Sequence, residues 1–274
     1  MSGQTEKKPL VLVTGATGFI AGHVIKQLVE RGYRVRGTVR NNGAQDKHKP
    51  IYNLSKSKGD IELVECDLSL DKNWDKAVEG CEYVLHTATV RKTYMHAGNK
   101  AKEDIIAPVV EGTRRILEAC LKSKTVKKFV YTGSGAAMNA FGWNNHPRPR
   151  DVIYVSSEVW TDLTKPMVTD YAKSKVLAEQ LAFDFVKTHN YPFQVVSICP
   201  AHCFGPLLYP RLPNCMLPTV FAFSPVHPIS STHVILCDVR DVALAHVNAL
   251  TSDKANGNRY LIASDSLWEK DIAK

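Results

Sequence analysis

A tyrosine and a lysine lie four residues apart in the segment Tyr171-Ala172-Lys173-Ser174-Lys175. In a helix this spacing places both side chains on one face, one turn apart. A free tyrosine has a pKa of about 10, and a neighbouring cation favours its ionised form, which makes proton exchange near neutral pH easier. The pair is therefore a candidate proton donor with its electrostatic support. Taken alone, the spacing fits a solvated helix face better, so the catalytic interpretation depends on the surrounding elements.

Glycines follow the first apolar run of the chain, Leu10–Val13, in the segment Thr14-Gly15-Ala16-Thr17-Gly18. A glycine-rich turn between a strand and a helix lets the backbone approach a phosphate closely, and the helix N-terminus offers N–H groups and a positive dipole end to the anion. A helix is predicted over Phe19–Glu30. The turn indicates a dinucleotide site, and the alternative is an ordinary strand–turn–helix joint without a ligand.

The second predicted strand, Tyr33–Val39, lacks the acid that commonly holds the ribose of NAD about 20 residues past the glycines. Thr38 occupies that distance, and Arg36 and Arg40 flank it. A guanidinium pairs with a 2′-phosphate, which a carboxylate would repel. The sequence therefore predicts NADP(H), with Lys47 as a second charge. The alternative is that Arg40 is a solvated charge at a strand end.

Short apolar runs alternate with helical patterns, which predicts an α/β fold of the Rossmann type with a doubly wound parallel sheet. Strands are predicted at Leu10–Val13, Tyr33–Val39, Ile61–Val64, Tyr83–His86, Lys128–Thr132, Phe193–Ile198, Val234–Leu236 and Arg259–Ile262. Helices are predicted at Phe19–Glu30, Asp71–Val78, Ala107–Leu121, Val168–Thr188 and Val239–Leu250.

Prolines divide the chain, because eight of the fourteen lie between Pro192 and Pro228 and rigid loops replace long helices there. We therefore predict an NADP-binding domain over residues 1–200 and a smaller, loop-rich C-terminal substrate lobe over 201–274. The strands and helix predicted between 232 and 263 are candidates to rejoin the main sheet.

Composition narrows the function classes. The 274 residues carry 35 Lys or Arg and 27 Asp or Glu, a net charge of +8, but the basic residues are scattered, which argues against nucleic acid. No apolar run approaches the roughly 20 residues of a membrane helix, and the polar start indicates no signal peptide. Seven cysteines without a CxxC pair are typical of a reducing compartment, so we expect a cytoplasmic protein. Cys199, His202 and Cys203 are too crowded for a zinc site, and no metal is predicted.

The turn Thr-Gly-x-x-Gly-Phe-Ile at residues 14–20 resembles that of the extended short-chain dehydrogenase/reductase superfamily. Four further segments are similar to its dihydroflavonol reductase and cinnamoyl-CoA reductase branch, which includes fungal carbonyl and aldehyde reductases: Thr38–Arg40, His86–Thr89, Pro108–Thr113 and Ile198–Pro206. The resemblance covers residues 10–274 and implies NADPH-dependent reduction of a ketone or aldehyde. A sugar-nucleotide epimerase or dehydratase, and a non-catalytic NADP-binding protein, remain alternatives.

The resemblance also implies roles for individual residues. The family's Ser…Tyr-x-x-x-Lys triad corresponds to Ser134, Tyr171 and Lys175, with Tyr171 as proton donor, Lys175 lowering its pKa and holding the nicotinamide ribose, and Ser134 orienting the carbonyl. Thr132 is the alternative hydroxyl, and Gly133 stands where the family often has serine. Asp67 corresponds to the residue that accepts from the adenine amino group. The implied cofactor contacts are Gly15, Thr17, Gly18, Phe19, Ile20, Arg40, Lys47, Asp67, Leu68, Thr87, Ala88, Thr89, Thr132, Tyr171, Lys175, Pro200 and Cys203.

The resemblance implies a small carbonyl compound as substrate, and its pocket is expected in three loops, Val90–Met95, Met138–Trp143 and Phe204–Met216. Their aromatic side chains indicate a hydrophobic or aromatic substrate; the alternative is that these rings pack under loops. These side chains are Tyr94, Phe141, Trp143, Phe204 and Tyr209. Family members usually continue past a helix predicted to begin near Ser266. Either the lobe is trimmed in this chain or the sequence is a shortened piece of the protein, and substrate affinity is expected to be weak.

Overall fold

The computed structural model describes residues 8–43, 45–89, 105–139, 156–210, 213, 216, 233–268 and 271, without the side chains at 45–47 and 233. The strands within these ranges are β1 Leu10–Val13, β2 Arg34–Val39, β3 Ile61–Glu65, β4 Tyr83–His86, β5 Lys128–Thr132, β6 Gln194–Pro200, β7 His202–Phe204, β8 His233–Asp238, β9 Arg259–Ile262 and β10 Asp265–Trp268. Seven of them form a parallel sheet in the order β3-β2-β1-β4-β5-β6-β9, which confirms the predicted fold class.

The helices of the described chain are α1 Phe19–Glu30, α2 Gln45–Tyr52, α3 Trp74–Val78, α4 Ala107–Ser123, α5 Asp170–Thr188 and α6 Val239–Thr251. Two 3-10 helices lie at Gly135–Met138 and Asp253–Ala255. Helix α3 begins three residues later than predicted because Asn73 adopts a left-handed conformation with φ 68°. Helix α2 is not predicted by its sequence, which is polar and contains Pro50. None of these helices is long and apolar enough to span a bilayer.

Strand β1 shows why the sheet is covered on both faces. Leu10 and Leu12 pack among the residues of α3, α4 and α5, and Val11 and Val13 pack among those of α1 and α6. All four side chains are buried. Full burial of a large aliphatic side chain adds about 1.5–3 kcal/mol to the free energy of unfolding. A continuous apolar run is what a central parallel strand requires, because neither of its faces meets water.

The site is positioned by the carboxyl ends of the strands. Strand β1 lies between β2 and β4, so the connections from β1 and from β4 leave the sheet in opposite directions. In open α/β sheets the crevice at such a point, outside the carboxyl ends, is where ligands bind. The glycine turn after β1, Thr87–Thr89 after β4 and Ser134 after β5 therefore all emerge at one edge.

The residues after position 200 divide between two sheets. Strand β9 extends the main sheet beside β6, and α6 packs against α1. Strands β7, β8 and β10 form a second sheet in the order β10-β8-β7. The helix predicted to begin near Ser266 is wrong at this point, because residues 265–268 pair antiparallel with β8 instead. The division at residue 200 remains a prediction.

Candidate active site

The glycine turn uses some of its backbone donors internally and leaves others at the start of α1. The N–H of Gly15 donates to Thr38 Oγ1 at 2.9 Å, and the N–H of Ala16 donates to the Thr38 carbonyl at 2.9 Å. The N–H of Gly18 closes the turn onto the Gly15 carbonyl at 2.8 Å. Gly18 is the N-cap of α1 and provides no side-chain cap, and the first turn contains no acid. The positive end of α1 is thus available to an anion.

Close backbone approach explains the glycines. Gly15 has φ +69°, and a Cβ there would lie 3.1 Å from Ala88 Cβ. A Cβ at Gly18 would lie 3.0 Å from the Gly15 carbonyl oxygen. The turn therefore presents backbone where side chains would stand, and this surface fits the diphosphate of a dinucleotide.

Tyr209 supports this turn from behind. A Cβ on Gly22 would lie only 2.9 Å from the Tyr209 ring, and the Tyr209 hydroxyl donates to the Ala16 carbonyl at 3.1 Å. Burial raises the pKa of Tyr209. The expectation that Tyr209 faces substrate is thus replaced by the alternative, packing under a loop. Phe204 lies half-buried in β7.

A buried histidine joins the ends of β1 and β4. His86 Nδ1 is 2.8 Å from Thr14 Oγ1, and His86 Nε2 is 3.1 Å from Thr113 Oγ1. Because the Thr113 hydroxyl donates to the Val109 carbonyl, His86 carries its proton on Nε2 and accepts from Thr14 at Nδ1. Burial, with a smaller effect of Lys175, lowers the pKa of His86 to about 3, so the ring is neutral.

The same threonine sets the backbone that follows β4. Thr14 Oγ1 accepts the N–H of Ala88 at 3.0 Å, and the hydroxyl of Thr87 donates to the Thr14 carbonyl at 2.5 Å. Ala88 also lies against Gly15, whereas Thr89 is exposed at the edge. The structure thus brings Thr87 and Ala88 beside the glycine turn, and the cofactor contacts of Thr87, Ala88 and Thr89 stay a prediction.

The two arginines of β2 differ in environment. Arg36 Nε pairs with Glu62 Oε1 at 2.7 Å, and its Nη1 donates to the carbonyl oxygens of Ala77 and Glu79 at 3.0 and 2.6 Å. Arg36 therefore anchors α3 to the sheet, and its predicted contribution to phosphate binding is wrong. Arg40 is exposed just past the carboxyl end of β2, where a 2′-phosphate contact remains a prediction. The side chain of Lys47 lies outside the described residues.

Asp67 follows β3 at the same edge. Its Oδ1 accepts from the Ser69 hydroxyl at 2.6 Å and from the Ser69 N–H at 2.8 Å. The Ser69 hydroxyl, and to a smaller extent the nearby Arg40, hold the pKa of Asp67 below its usual range. Leu68 is buried against Gly112 of α4, where a Cβ would lie 2.8 Å from it. The carboxylate is thus ionised and oriented.

Helix α5 holds the candidate proton donor and its lysine. Thr169 caps the helix by accepting the N–H of Ala172 at 3.2 Å. Tyr171 lies in the first turn and is half-buried, and Lys175, one turn further on, is buried. Lys175 Nζ donates to the Thr132 carbonyl at 2.8 Å and lies 6.0 Å from the centre of the Tyr171 ring. Burial lowers the pKa of Lys175 to about 8.

Ser134 stands two residues past β5 and begins the 3-10 helix Gly135–Met138. Its Oγ accepts the N–H of Ala136 at 3.2 Å as an N-cap, so the hydroxyl hydrogen is directed elsewhere. The strand that carries Ser134 also carries Thr132, the carbonyl partner of Lys175. Ser134, Tyr171 and Lys175 are therefore brought to one end of β5 by two elements.

A sequence profile described as the NAD dependent epimerase/dehydratase family matches residues 11–263. The chain belongs to this family. Dihydroflavonol 4-reductase of Callistephus chinensis is 34% identical over 280 residues, covering 98% of this chain and 72% of the relative. Cinnamoyl-CoA reductase CAD2 of Medicago truncatula is 32% identical over 256 residues, covering 92% and 76%. Gre2 of Candida albicans, solved in complex with NADPH, has a TM-score of 0.79 at 28% identity, covering 95% of this chain and 80% of that one. The predicted resemblance is confirmed.

The family's serine pair is replaced here for a steric reason. A Cβ at Gly133 would lie 2.5 Å from Cys199 Sγ and 2.8 Å from Ser197 Oγ, both on β6. Cys199 in turn donates to Glu179 Oε1 at 3.5 Å. The cysteine on β6 thus fills the space that a serine at position 133 would need, which favours Ser134 as the hydroxyl of the triad.

The structure shows two contacts near the site that the sequence motifs did not predict. Glu179 and Arg259 form a buried ion pair, with Arg259 Nε 2.7 Å from Glu179 Oε1 and side-chain exposures of 0% for Glu179 and 6% for Arg259. Glu179 continues the i, i+4 series of Tyr171 and Lys175 on α5, and this spacing was the available signal. Arg259 offered none, because its partner is 80 residues away.

Thr132 and His246 form the second unpredicted contact. The Thr132 hydroxyl lies 2.8 Å from His246 Nε2 on α6, and both residues are buried. Thr132 thus supports the site through its carbonyl and its hydroxyl, and Ser134 stays the predicted catalytic hydroxyl.

Two predicted cofactor contacts, Pro200 and Cys203, follow β5 in the sequence. Pro200 is the buried final residue of β6, at the carboxyl edge. Cys203 on β7 is buried beside Val239 and Val242, with Phe19 and Ile20 of α1 packed against the same cluster. Of the remaining predicted contacts, Thr17 is exposed in the turn. Tyr94, Phe141 and Trp143 lie outside the described residues.

Proposed function

We propose that this chain reduces a ketone or aldehyde with NADPH, with Tyr171 as proton donor, Lys175 as its electrostatic support and Ser134 orienting the carbonyl. The observation that carries the proposal is the placement of Lys175. Its ammonium is buried, anchored at 2.8 Å to the Thr132 carbonyl, and beside the Tyr171 ring at the carboxyl edge of the sheet.

The activity class and the cofactor predicted from the sequence are confirmed by the relatives, which are named as reductases and include a protein solved with NADPH. The residues present here fit that cofactor. The turn at Gly15 and Gly18 presents backbone without side chains beside the uncapped start of α1, whose first N–H groups are available to phosphates, and Arg40 offers a guanidinium at the end of β2.

The chain's own residues supply proton transfer and orientation, and bound NADPH supplies the hydride. Tyr171 needs a cation to favour its ionised form after it gives up the proton. Lys175 supplies that charge from a site where little water screens it. The Thr132 carbonyl takes one ammonium hydrogen and so fixes where the other two point. Ser134 has a hydroxyl hydrogen to donate to a carbonyl oxygen.

The substrate that we propose is a hydrophobic or aromatic carbonyl compound. The support is the aromatic content of the predicted pocket loops and the naming of the relatives for dihydroflavonol and cinnamoyl-CoA substrates. For the compartment we propose the cytoplasm, and the buried thiols of Cys66, Cys81, Cys120, Cys199 and Cys237 support a reducing environment.

The experiment is a reductase assay with purified protein, NADPH or NADH, and a panel of aliphatic, aromatic and flavonoid carbonyl compounds. We expect NADPH consumption matched by formation of the alcohol, with aromatic carbonyls preferred. A different outcome, copurified oxidised dinucleotide and interconversion of a sugar nucleotide without net NADPH consumption, would assign the chain to the epimerases of its family instead. Dinucleotide binding without turnover of either class would indicate a non-catalytic protein.

A further inference from the structure

A continuous chain of hydrogen bonds runs from Lys175 through β5 to helix α6. Lys175 Nζ donates to the Thr132 carbonyl at 2.8 Å. The hydroxyl of the same threonine contacts His246 Nε2 at 2.8 Å. His246 Nδ1 in turn lies 2.8 Å from the carbonyl of Val242, one turn earlier in α6. One residue, Thr132, thus contacts the catalytic lysine and a histidine on another helix.

The backbone carbonyl at the end of this series of hydrogen bonds determines which atoms carry the hydrogens. A backbone carbonyl only accepts, so His246 carries its hydrogen on Nδ1 and donates it to Val242. The lone pair at Nε2 then accepts the hydroxyl hydrogen of Thr132. His246 is 0% exposed and Thr132 5%, so bulk water has little access to these bonds.

We propose that His246 is a positioning residue for Lys175, acting by holding Thr132 so that its carbonyl stays directed at the ammonium. This inference rests on the proposed function, because Lys175 matters only if Tyr171 transfers a proton. Helix α6 packs against α1 on the face of the sheet opposite α5, which fixes the position of His246. The bond from His246 to Thr132 therefore holds the end of β5 in place. Without an acceptor at Nε2, the buried Thr132 hydroxyl must turn to another partner.

The charges around Lys175 are compatible with a neutral His246. The titratable groups that act on or face Lys175 are Tyr171 and Glu179 on α5, Tyr131 on β5, Cys199 on β6, His86 on β4 and His246 on α6. Burial, and less strongly the charge of Lys175, lower the pKa of His246 to about 4, although its bond to Val242 acts in the opposite direction. The ring therefore supports the lysine without adding a second cation.

The test compares three substitutions of His246 that differ in one property. His246→Gln keeps an amide group near the position of Nε2, His246→Asn keeps one only near Nδ1, and His246→Leu keeps neither. We expect Leu and Asn to lower kcat by roughly 10- to 100-fold, the scale of misplaced catalytic groups. Gln should restore most of this loss. Thr132→Val should lower kcat as Leu does, and Thr132→Ser should restore it.

Two readouts separate positioning from a purely structural role. In the pH profile of kcat, the basic limb should move to higher pH in His246→Leu, because a displaced cation stabilises the Tyr171 phenolate less, and should return in His246→Gln. In the protein without cofactor, nitrogen NMR should show His246 with hydrogen on Nδ1 and no titration between about pH 5.5 and 8. A lower Tm in His246→Leu with an unchanged kcat and basic limb would overturn the inference, as would a titrating His246.

The outcomes also distinguish this inference from the proposed function. If Tyr171→Phe retains full turnover, the proposed function fails first. If Tyr171→Phe abolishes turnover while the His246 and Thr132 variants behave as wild type, only the positioning role fails. If His246→Leu does not fold, the Thr132→Val and Thr132→Ser pair decides the matter, since a kcat that is equal in the two variants would contradict the role.

Discussion

Removing the carboxylate of Glu179 is the perturbation whose energetic effect the structure defines best. Glu179 pairs with Arg259 through two contacts, Nε to Oε1 at 2.7 Å and Nη2 to Oε2 at 3.3 Å. Arg259 also donates to the carbonyl oxygens of Ser157 and Val159 at 3.0 Å and covers the Trp160 ring at 3.4 Å. This pair fastens β9 and α5 to the segment that precedes the catalytic helix.

The magnitude follows from what each substitution leaves buried. Breaking a buried ion pair on one side costs about 3–5 kcal/mol of unfolding free energy, because the remaining charge loses its partner. Glu179→Gln leaves Arg259 with its carbonyl acceptors and the Trp160 ring, so we expect about 3 kcal/mol. Arg259→Met leaves the carboxylate with the Cys199 thiol at 3.5 Å, so we expect about 5 kcal/mol. The double variant should cost less than the sum of the two.

Urea unfolding of the four proteins measures these differences, and thermal unfolding should show a Tm about 6 °C lower for Glu179→Gln, at about 2 °C per kcal/mol for a chain of this size. The matched control is Glu30→Gln, which removes the exposed i, i+4 pair with Lys26 and should cost no more than about 0.5 kcal/mol. If Glu179→Gln is no more destabilising than Glu30→Gln, or if the double variant is strictly additive, the buried pair does not hold these elements together.

Three further predictions concern the cofactor, the pH dependence and the packing of the site. Arg40→Ala should raise the Kd for NADPH about 10-fold or more and leave that for NADH nearly unchanged, whereas Arg36→Ala should lower stability without changing cofactor preference; equal NADPH and NADH affinities in the wild type would refute the phosphate role. Burial holds the pKa of His86 near 3 in the folded protein, below its ordinary 6.5, so its contribution to the free energy of unfolding is complete above about pH 6.5. As the pH falls, this contribution is lost by up to about 1.4 kcal/mol per pH unit. Urea unfolding should show this slope, and a His86→Gln variant with the same slope would contradict it. Gly133→Ala should cost about 1–3 kcal/mol because its Cβ meets Cys199, a loss that an accompanying Cys199→Ala should relieve; no relief would contradict the steric account.

The sheet was predictable because its strands are short apolar runs separated by clear helix signals. The predicted bounds of β1, β4, β5, β9 and α1 agree with the structure. The short strands β7 and β10 were not predicted, because three or four residues provide too few positions for an alternating pattern. The helix predicted near Ser266 competed with pairing to β8, a tertiary contact that local pattern does not contain.

The site was predictable where a motif is local and not where it depends on distant packing. The turn at Gly15 and the spacing of Tyr171 and Lys175 are short-range patterns. Arg36 has the right residue type near the right position, but its side chain is held by Glu62 and the end of α3. His246 acts on the site across 114 residues of sequence, so only the fold could place it beside Thr132.

The central claim is that Tyr171 donates the proton in NADPH-dependent carbonyl reduction, and the direct measurement is turnover by Tyr171→Phe beside its NADPH affinity. This substitution removes one oxygen from a half-buried ring and leaves the backbone of α5 in place. The control is Tyr191→Phe, which removes the same atom from an exposed ring. We predict that Tyr171→Phe binds NADPH as wild type does and has a kcat lower by about 100-fold or more, while Tyr191→Phe is unchanged. Turnover by Tyr171→Phe within a few-fold of wild type would contradict the account.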